Sequence, residues 1–176
     1  MPTQRLIPIA TQGVTGWTPF GAATCHEAID EEISNDDTDY MFNNSSPFGI
    51  FLMQRPGIQA GTTVESVTLS AYAKALPGGF APPDFKLGLL IGVASFFLVA
   101  SALSNTSYMR FDGTAFVNPA SGNPWLPSEI SRLSANVTMI QAPGFPKTTA
   151  RVTQLYADIA FTLPTWTERG ISAQVA

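Results

Sequence analysis

Apolar and polar residues alternate most clearly over Thr63–Leu76, where Val67, Leu69, Ala71 and Ala73 face one way and Thr68, Ser70, Tyr72 and Lys74 the other. Side chains of a strand point alternately to its two faces, so this pattern predicts a strand with one buried face. Phe48, Ile50 and Leu52 repeat the pattern over Phe48–Gln54. Further strands are predicted at Arg5–Ala10, around Thr15–Phe20, from Tyr40, at Ala135–Gln141 and at Thr148–Leu163. Asp112-Gly113, between Ser107–Phe111 and Thr114–Val117, predicts a hairpin. Pro127–Leu133 is the one helix candidate, with Ile130 and Leu133 on one face and Pro127 in the first turn.

No charge occurs between Lys86 and Arg110, and Leu87–Leu103 is at the short limit for a membrane-spanning helix. Gly88 and Gly92 interrupt it, Phe96, Phe97 and Val99 favour strand, and no basic cluster flanks it. The expectation is two buried strands, Lys86–Gly92 and Val93–Leu103, joined near Gly92, and no membrane partner. Fourteen Gly and fourteen Pro cut the chain into short pieces, which suits a sandwich and not a helical bundle. The predicted fold is therefore all-β, an antiparallel β-sandwich of jelly-roll type with one short helix. Residues 1–163 form one domain and 164–176 a C-terminal arm.

Only 12% of residues are charged, while 45% are hydrophobic. So little charge implies a surface that faces other protein, as in an oligomer or larger assembly. Trp166, Ile171 and Val175 of the arm are the expected interface residues. The nine basic residues form no run, which argues against a nucleic-acid partner. The N-terminus lacks the apolar stretch of a signal peptide, so synthesis in the cytoplasm is expected.

Candidate chemistry is sparse. Seven of the thirteen acids fall between Glu27 and Asp39. Asp36, Asp37 and Asp39 offer hard oxygen ligands for calcium, but the glycine and terminal Glu of an EF-hand loop are missing. A solvated turn before the strand at Tyr40 fits them better, so no cofactor or metal is assigned. Cys25 is alone and reads as a small buried apolar residue. His26 is the only histidine; as a strand neighbour of Cys25 its side chain would point to the opposite face, against a Cys-His dyad. Glu65 and Asp158 are the acids on predicted strands, read as outward polar positions or ion-pair partners and not as a hydrolytic pair. Trp17, Trp125 and Trp166 could form a sugar-stacking platform or serve as core and interface aromatics. Gly78-Gly79 lacks the lysine and helix of a phosphate loop.

Three blocks carry a resemblance. They are Trp17-Thr-Pro-Phe through Ala28-Ile-Asp-Glu and Asp36-Asp-Thr-Asp-Tyr40; Asn118-Pro-Ala-Ser-Gly-Asn-Pro-Trp125 with Ser128-Glu-Ile-Ser-Arg-Leu133; and Arg151-Val-Thr-Gln-Leu-Tyr-Ala-Asp-Ile159. Over residues 17 to 160 the chain resembles small virion proteins of tailed bacteriophages, which are similar to lectin-like or jelly-roll sandwiches. It departs from them in Leu126-Pro127, where their pattern favours a helix-capping Thr. The resemblance implies no catalytic residues, and no enzyme is expected. It implies a virion structural protein, first of all a capsid decoration or cement protein on the shell surface. Such a protein would bridge major capsid protein subunits and associate with itself, a trimer being the first expectation. The alternative is a carbohydrate-binding module of a tail fibre or spike.

Overall fold

The structure, a computed structural model, describes residues 1–30, 38–43, 47–59, 61–76, 83–103, 107–141 and 148–164. Within them, in chain order, lie β1 (Thr3–Leu6), β2 (Pro8–Thr15), β3 (Thr18–Phe20), β4 (Tyr40–Asn43), β5 (Phe48–Met53), β6 (Thr63–Ala75), β7 (Asp84–Ile91), β8 (Ala94–Ala102), β9 (Met109–Ala115), α1 (Pro127–Ile130), β10 (Ser134–Ile140) and β11 (Ala150–Thr162). Every pairing is antiparallel. Sheet A runs β3-β4-β11-β6-β9, with β1 also on β11, and sheet B runs β2-β5-β10-β7-β8. The chain is an all-β jelly-roll sandwich. The candidate arm beyond residue 164, with Trp166, Ile171 and Val175, lies outside the described residues.

The alternation read from the sequence builds the core. Val67, Leu69, Ala71 and Ala73 of β6 and Leu155, Ala157 and Ile159 of β11 are fully buried. So are Phe85, Leu87 and Leu89 of β7 and Ala135, Val137 and Met139 of β10, in the same apolar cluster. β11 pairs with β6 along its whole length, from Ala150↔Ala75 to Thr162↔Thr63. On its other side β4 pairs with its first residues and β1 with its last. The Leu155 N–H donates to Ile29 O at 2.9 Å, so the chain before the acidic segment fills the gap between those two short strands.

Four expectations change. The Arg5–Ala10 strand is two strands in different sheets, β1 and β2, because the chain crosses the sandwich at Ile7. Asp112-Gly113 makes no hairpin: both residues sit inside β9, opposite Ser70 and Leu69 of β6. Gly113 is there because β8 crosses closely above it. A Cβ on Gly113 would run into Leu98 Cβ and stand 2.9 Å from Val99 Cγ2. The second apolar strand, β8, is an edge strand with its outward side chains exposed, Phe97 to 45%. The hairpin between β7 and β8 does turn at Gly92, whose φ of 63° favours glycine. Finally, the helix ends at Ile130 and Leu133 is reached through turns.

Gly113→Ala should lower stability by about 1–3 kcal/mol in urea unfolding, the cost of overpacking a filled interior. Thr114→Ala, next to it but on the outer face with only an exposed hydroxyl bond to Thr68, should cost less than about 1 kcal/mol.

Candidate functional site

The polar half of the β6 alternation lies at the centre of sheet A's outer face, where Ser70 of β6 and Gln154 and Tyr156 of β11 are themselves buried. Thr68, Ser70 and Tyr72 stand opposite Asp158, Tyr156 and Gln154 of β11 on one side. On the other they stand opposite Thr114, Asp112 and Arg110 of β9. Arg5 of β1 completes the row at Asp158. Side chains directly opposite each other on adjacent strands are close enough to interact, so these rows form a registered polar layer. With strands about 4.8 Å apart, the four strands β1, β11, β6 and β9 span roughly 14 Å.

The hydrogen bonds follow the rows. Arg5 Nε donates to Asp158 Oδ1 at 2.9 Å and Arg5 Nη2 to Asp158 Oδ2 at 3.0 Å, a two-pronged pair. Arg110 Nε donates to Asp112 Oδ1 at 2.8 Å, and Ser70 Oγ donates to the same oxygen at 2.6 Å. Thr68 and Thr114 share a hydroxyl hydrogen bond of 2.8 Å. The Asp158 hydrogen bond raises Arg5 above its ordinary value against the opposing pull of burial, and the Asp112 bond does the same for Arg110. Both guanidiniums therefore stay charged at any working pH. Arg110 spends only Nε on Asp112; among the described residues its Nη groups make no hydrogen bond.

All four tyrosines of the chain share this face. The Arg5 guanidinium lies 3.8 Å from the Tyr156 ring centroid, and Arg110 approaches the same ring at 5.9 Å from the other side of β6. Lys74 Nζ lies 4.1 Å over Tyr108, and the Arg151 guanidinium 4.1 Å over Tyr40. Tyr40 also stacks on Phe20, with centroids 4.7 Å apart. Cations over ring faces are mutually stabilising, and here they fix each cation in place above the sheet. Exposed ion pairs contribute little to stability. Arg5 and Arg110 are 40% and 46% exposed, so these two side chains, above the buried Tyr156, are placed for contact.

A second concavity lies at the sandwich rim, a cleft of about 490 Å³ between the β7–β8 turn and α1. Two of its polar side chains, Glu129 and Ser131, are engaged within the protein, while Arg132 lines it with no side-chain hydrogen bond among the described residues. Glu129 Oε1 accepts from Asn118 Nδ2 at 2.7 Å and Oε2 from the Leu126 N–H at 2.8 Å, while Ser131 Oγ donates to Ser128 O at 2.8 Å. Glu129 thus caps α1 by accepting from the N–H of Leu126, the residue before its first turn, and Leu126 itself has no side-chain acceptor for the helix.

The residues singled out in the sequence fall as follows. Trp17 and Trp125 are 5% and 4% exposed, so neither belongs to a stacking platform; Trp125 Nε1 donates to Ala115 O at 3.0 Å. Asp158 is an ion-pair partner, and Glu65 accepts from Thr162 Oγ1 at 2.9 Å. Cys25 is buried in the core, and desolvation pushes its thiol up. The neighbouring His26 Nδ1 lies 2.9 Å from Thr24 Oγ1 and 3.3 Å from Thr11 Oγ1, away from Cys25's environment. Of the calcium candidates, Asp36 and Asp37 lie outside the described residues, and Asp39 is half-buried beside Gly21. No group of three or more metal-ligating side chains occurs among the described residues. The tyrosine and arginine layer had no sequence assignment. Its signal was the polar half of the alternation in Thr68-Ser70-Tyr72, Arg110-Asp112-Thr114 and Gln154-Tyr156-Asp158.

No protein-family model matches the chain. No curated protein matches it either. Among solved structures it is similar to the CBM22-1 xylan-binding domain of Paenibacillus barcinonensis Xyn10C, at 13% identity and TM-score 0.46, covering 82% of this chain and 85% of that one. It is also similar to TmCBM61 in complex with β-1,4-galactotriose, at 9% identity and TM-score 0.46, covering 89% and 87%. The enzymatically active domain of bacteriophage CBA120 tailspike protein 4 aligns at 10% identity and TM-score 0.45, over 90% of this chain and 19% of that one. At these values the likeness assigns no function, and the sandwich rests on the strand pairing described above.

Burial raises Asp30 above its ordinary value of 3.8, with Asp39 and Glu27 adding repulsion against its own backbone hydrogen bond and His26. A carboxylate with a raised folded-state pKa destabilises the fold while ionised, and that cost disappears as pH falls through the raised value toward 3.8. Asp30→Asn should therefore raise the melting temperature at pH 7. The gain should shrink toward zero when melts are repeated below pH 3.8.

Proposed function

We propose that the chain is a non-catalytic glycan-binding module that presents the outer face of sheet A to an extended saccharide. The carrying observation is the pair of part-exposed tyrosines on that face, Tyr72 and Tyr108, among Arg5, Lys74, Arg110 and Arg151, with Arg5 and Arg151 lying over the buried rings of Tyr156 and Tyr40. A sugar ring has C–H groups on its faces and hydroxyls around its rim. It fits a surface where rings alternate with fixed donors and acceptors. Asp112 and Asp158 are each tied to an arginine, which suits orientation of a ligand better than proton transfer. The virion setting, a tail fibre or spike, comes from the sequence resemblance.

A second reading, the capsid cement protein, is favoured by the opposite surface. On the outer face of sheet B, Phe48, Phe97 and Ile140 are 38%, 45% and 41% exposed. Such side chains suit contact with major capsid protein or with a second copy.

The readings separate by thermal shift against a panel of oligosaccharides, because a ligand that binds only the folded state raises the melting temperature. The glycan reading expects a shift with at least one class of oligosaccharide, and about tenfold weaker binding by Tyr72→Ala. No shift with any saccharide, together with saturable binding to empty phage shells, would favour the cement reading.

A further inference from the structure

The outer face of sheet A carries four cationic side chains, Arg5, Lys74, Arg110 and Arg151, although the chain as a whole has a net charge of −4. Two carboxylates, Asp158 and Asp112, anchor Arg5 and Arg110, and Glu65 accepts from Thr162 further along β6.

The cations also change how the rings can be used. Guanidinium and ammonium groups sit 3.8–4.1 Å over Tyr156, Tyr40 and Tyr108. A ligand approaching three of the four rings meets a cation first. Stacking on bare rings, which single-stranded nucleic acids need, is limited to what Tyr72 offers. Recognition through planar cations is what remains, and planar cations read planar or tetrahedral anions.

Arg110 is built for that role. Asp112 Oδ1 holds its Nε at 2.8 Å, and Ser70 Oγ fixes that carboxylate at 2.6 Å. The guanidinium is thereby fixed through its inner edge. Its two Nη groups, with no hydrogen bond among the described residues, form the outer edge of a side chain 46% exposed. Two parallel N–H groups at a fixed orientation match a carboxylate or sulfate in a two-pronged pair.

We propose that the ligand of this face is an acidic glycan, carrying carboxylate or sulfate groups, and that the Nη edge of Arg110 binds one such group. This rests on the glycan-binding reading of the same face. Arg5, anchored on Asp158 across Tyr156, supplies a second fixed cation toward the β1 side. Lys74 and Arg151 lie opposite each other further along β6 and β11.

The test is calorimetric titration with paired oligosaccharides of equal length: uronate oligomers against their methyl esters, and sulfated oligomers against their desulfated forms. At 50 mM salt at least one acidic member should bind roughly tenfold tighter than its neutral partner, the value of one hydrogen-bonded charge contact. Its affinity should fall roughly sevenfold between 50 and 200 mM salt if about two charges are neutralised. Arg110→Gln should abolish the preference, and Arg110→Lys, which keeps the charge but not the fork, should lose most of it. Both variants should fold, since exposed ion pairs contribute little to stability.

Equal affinity for acidic and neutral members, lost together in Tyr72→Ala, would overturn the acidic class and leave the glycan reading standing. No binding of any saccharide would overturn both. Tighter binding of a dT20 oligonucleotide with the same dependence on Arg110 would replace the glycan with a nucleic acid.

Discussion

Sheet A depends on one long pairing, β6 against β11. Twelve matched positions run from Ala150↔Ala75 to Thr162↔Thr63, and the same two strands supply the middle of the core and the middle of the polar layer. Each must satisfy two environments with alternate residues. One face needs small and branched apolar groups, met by Ala71, Ala73, Leu155 and Ile159. The other carries Thr68, Ser70, Tyr72, Tyr156 and Asp158. A slip of one residue would exchange the two faces, so burial of the apolar face fixes the register of the polar rows.

Two irregularities tune this pairing. At Thr153 β11 carries an extra residue between Val152 and Gln154, and at Glu65 β6 carries one between Val64 and Ser66. A bulge shifts the alternation beyond it by one position. The bulge at Thr153 restores Gln154, Tyr156 and Asp158 to the solvent side after Arg151, and thereby brings Tyr156 between Arg5 and Arg110. The arginines come from the flanking strands β1 and β9, and each is held by a carboxylate on its own or the neighbouring strand. The layer is an assembly of four strands that are far apart in sequence.

Much of the architecture could be read in the chain. The alternation of Val67–Lys74 gave sheet A its faces, and Gly92 marked the β7–β8 turn. The alternation of Phe48, Ile50 and Leu52 pointed to the wrong face: those residues lie on the outer side of β5, and Gly49, Phe51 and Met53 fill the core. Asp112-Gly113 misled because the same dipeptide serves a turn or a close crossing. Only the position of Leu98 and Val99 above Gly113 decides between them, and that contact spans the sandwich. The crossing at Ile7 was hidden because it falls inside one short apolar run, Leu6–Ala10. The site was legible only in halves. Tyr72 shows as an outward position, but the meeting of Tyr156 with Arg5 and Arg110 depends on strand order and on the bulge at Thr153, neither of which has a local sequence mark. The tryptophans drew attention as sugar platforms, and Trp17 and Trp125 are core.

The central claim is that ligand meets the outer face of sheet A. Backbone and tyrosine-ring NMR shifts, followed during titration with a binding oligosaccharide, test it most directly. The account predicts the largest changes at Tyr72, Arg110, Asp112 and Tyr156, with Phe97, Asn136 and the rim residues Ser128 and Arg132 unmoved. Shifts confined to sheet B or to the rim cleft, with the tyrosine face silent, would contradict it.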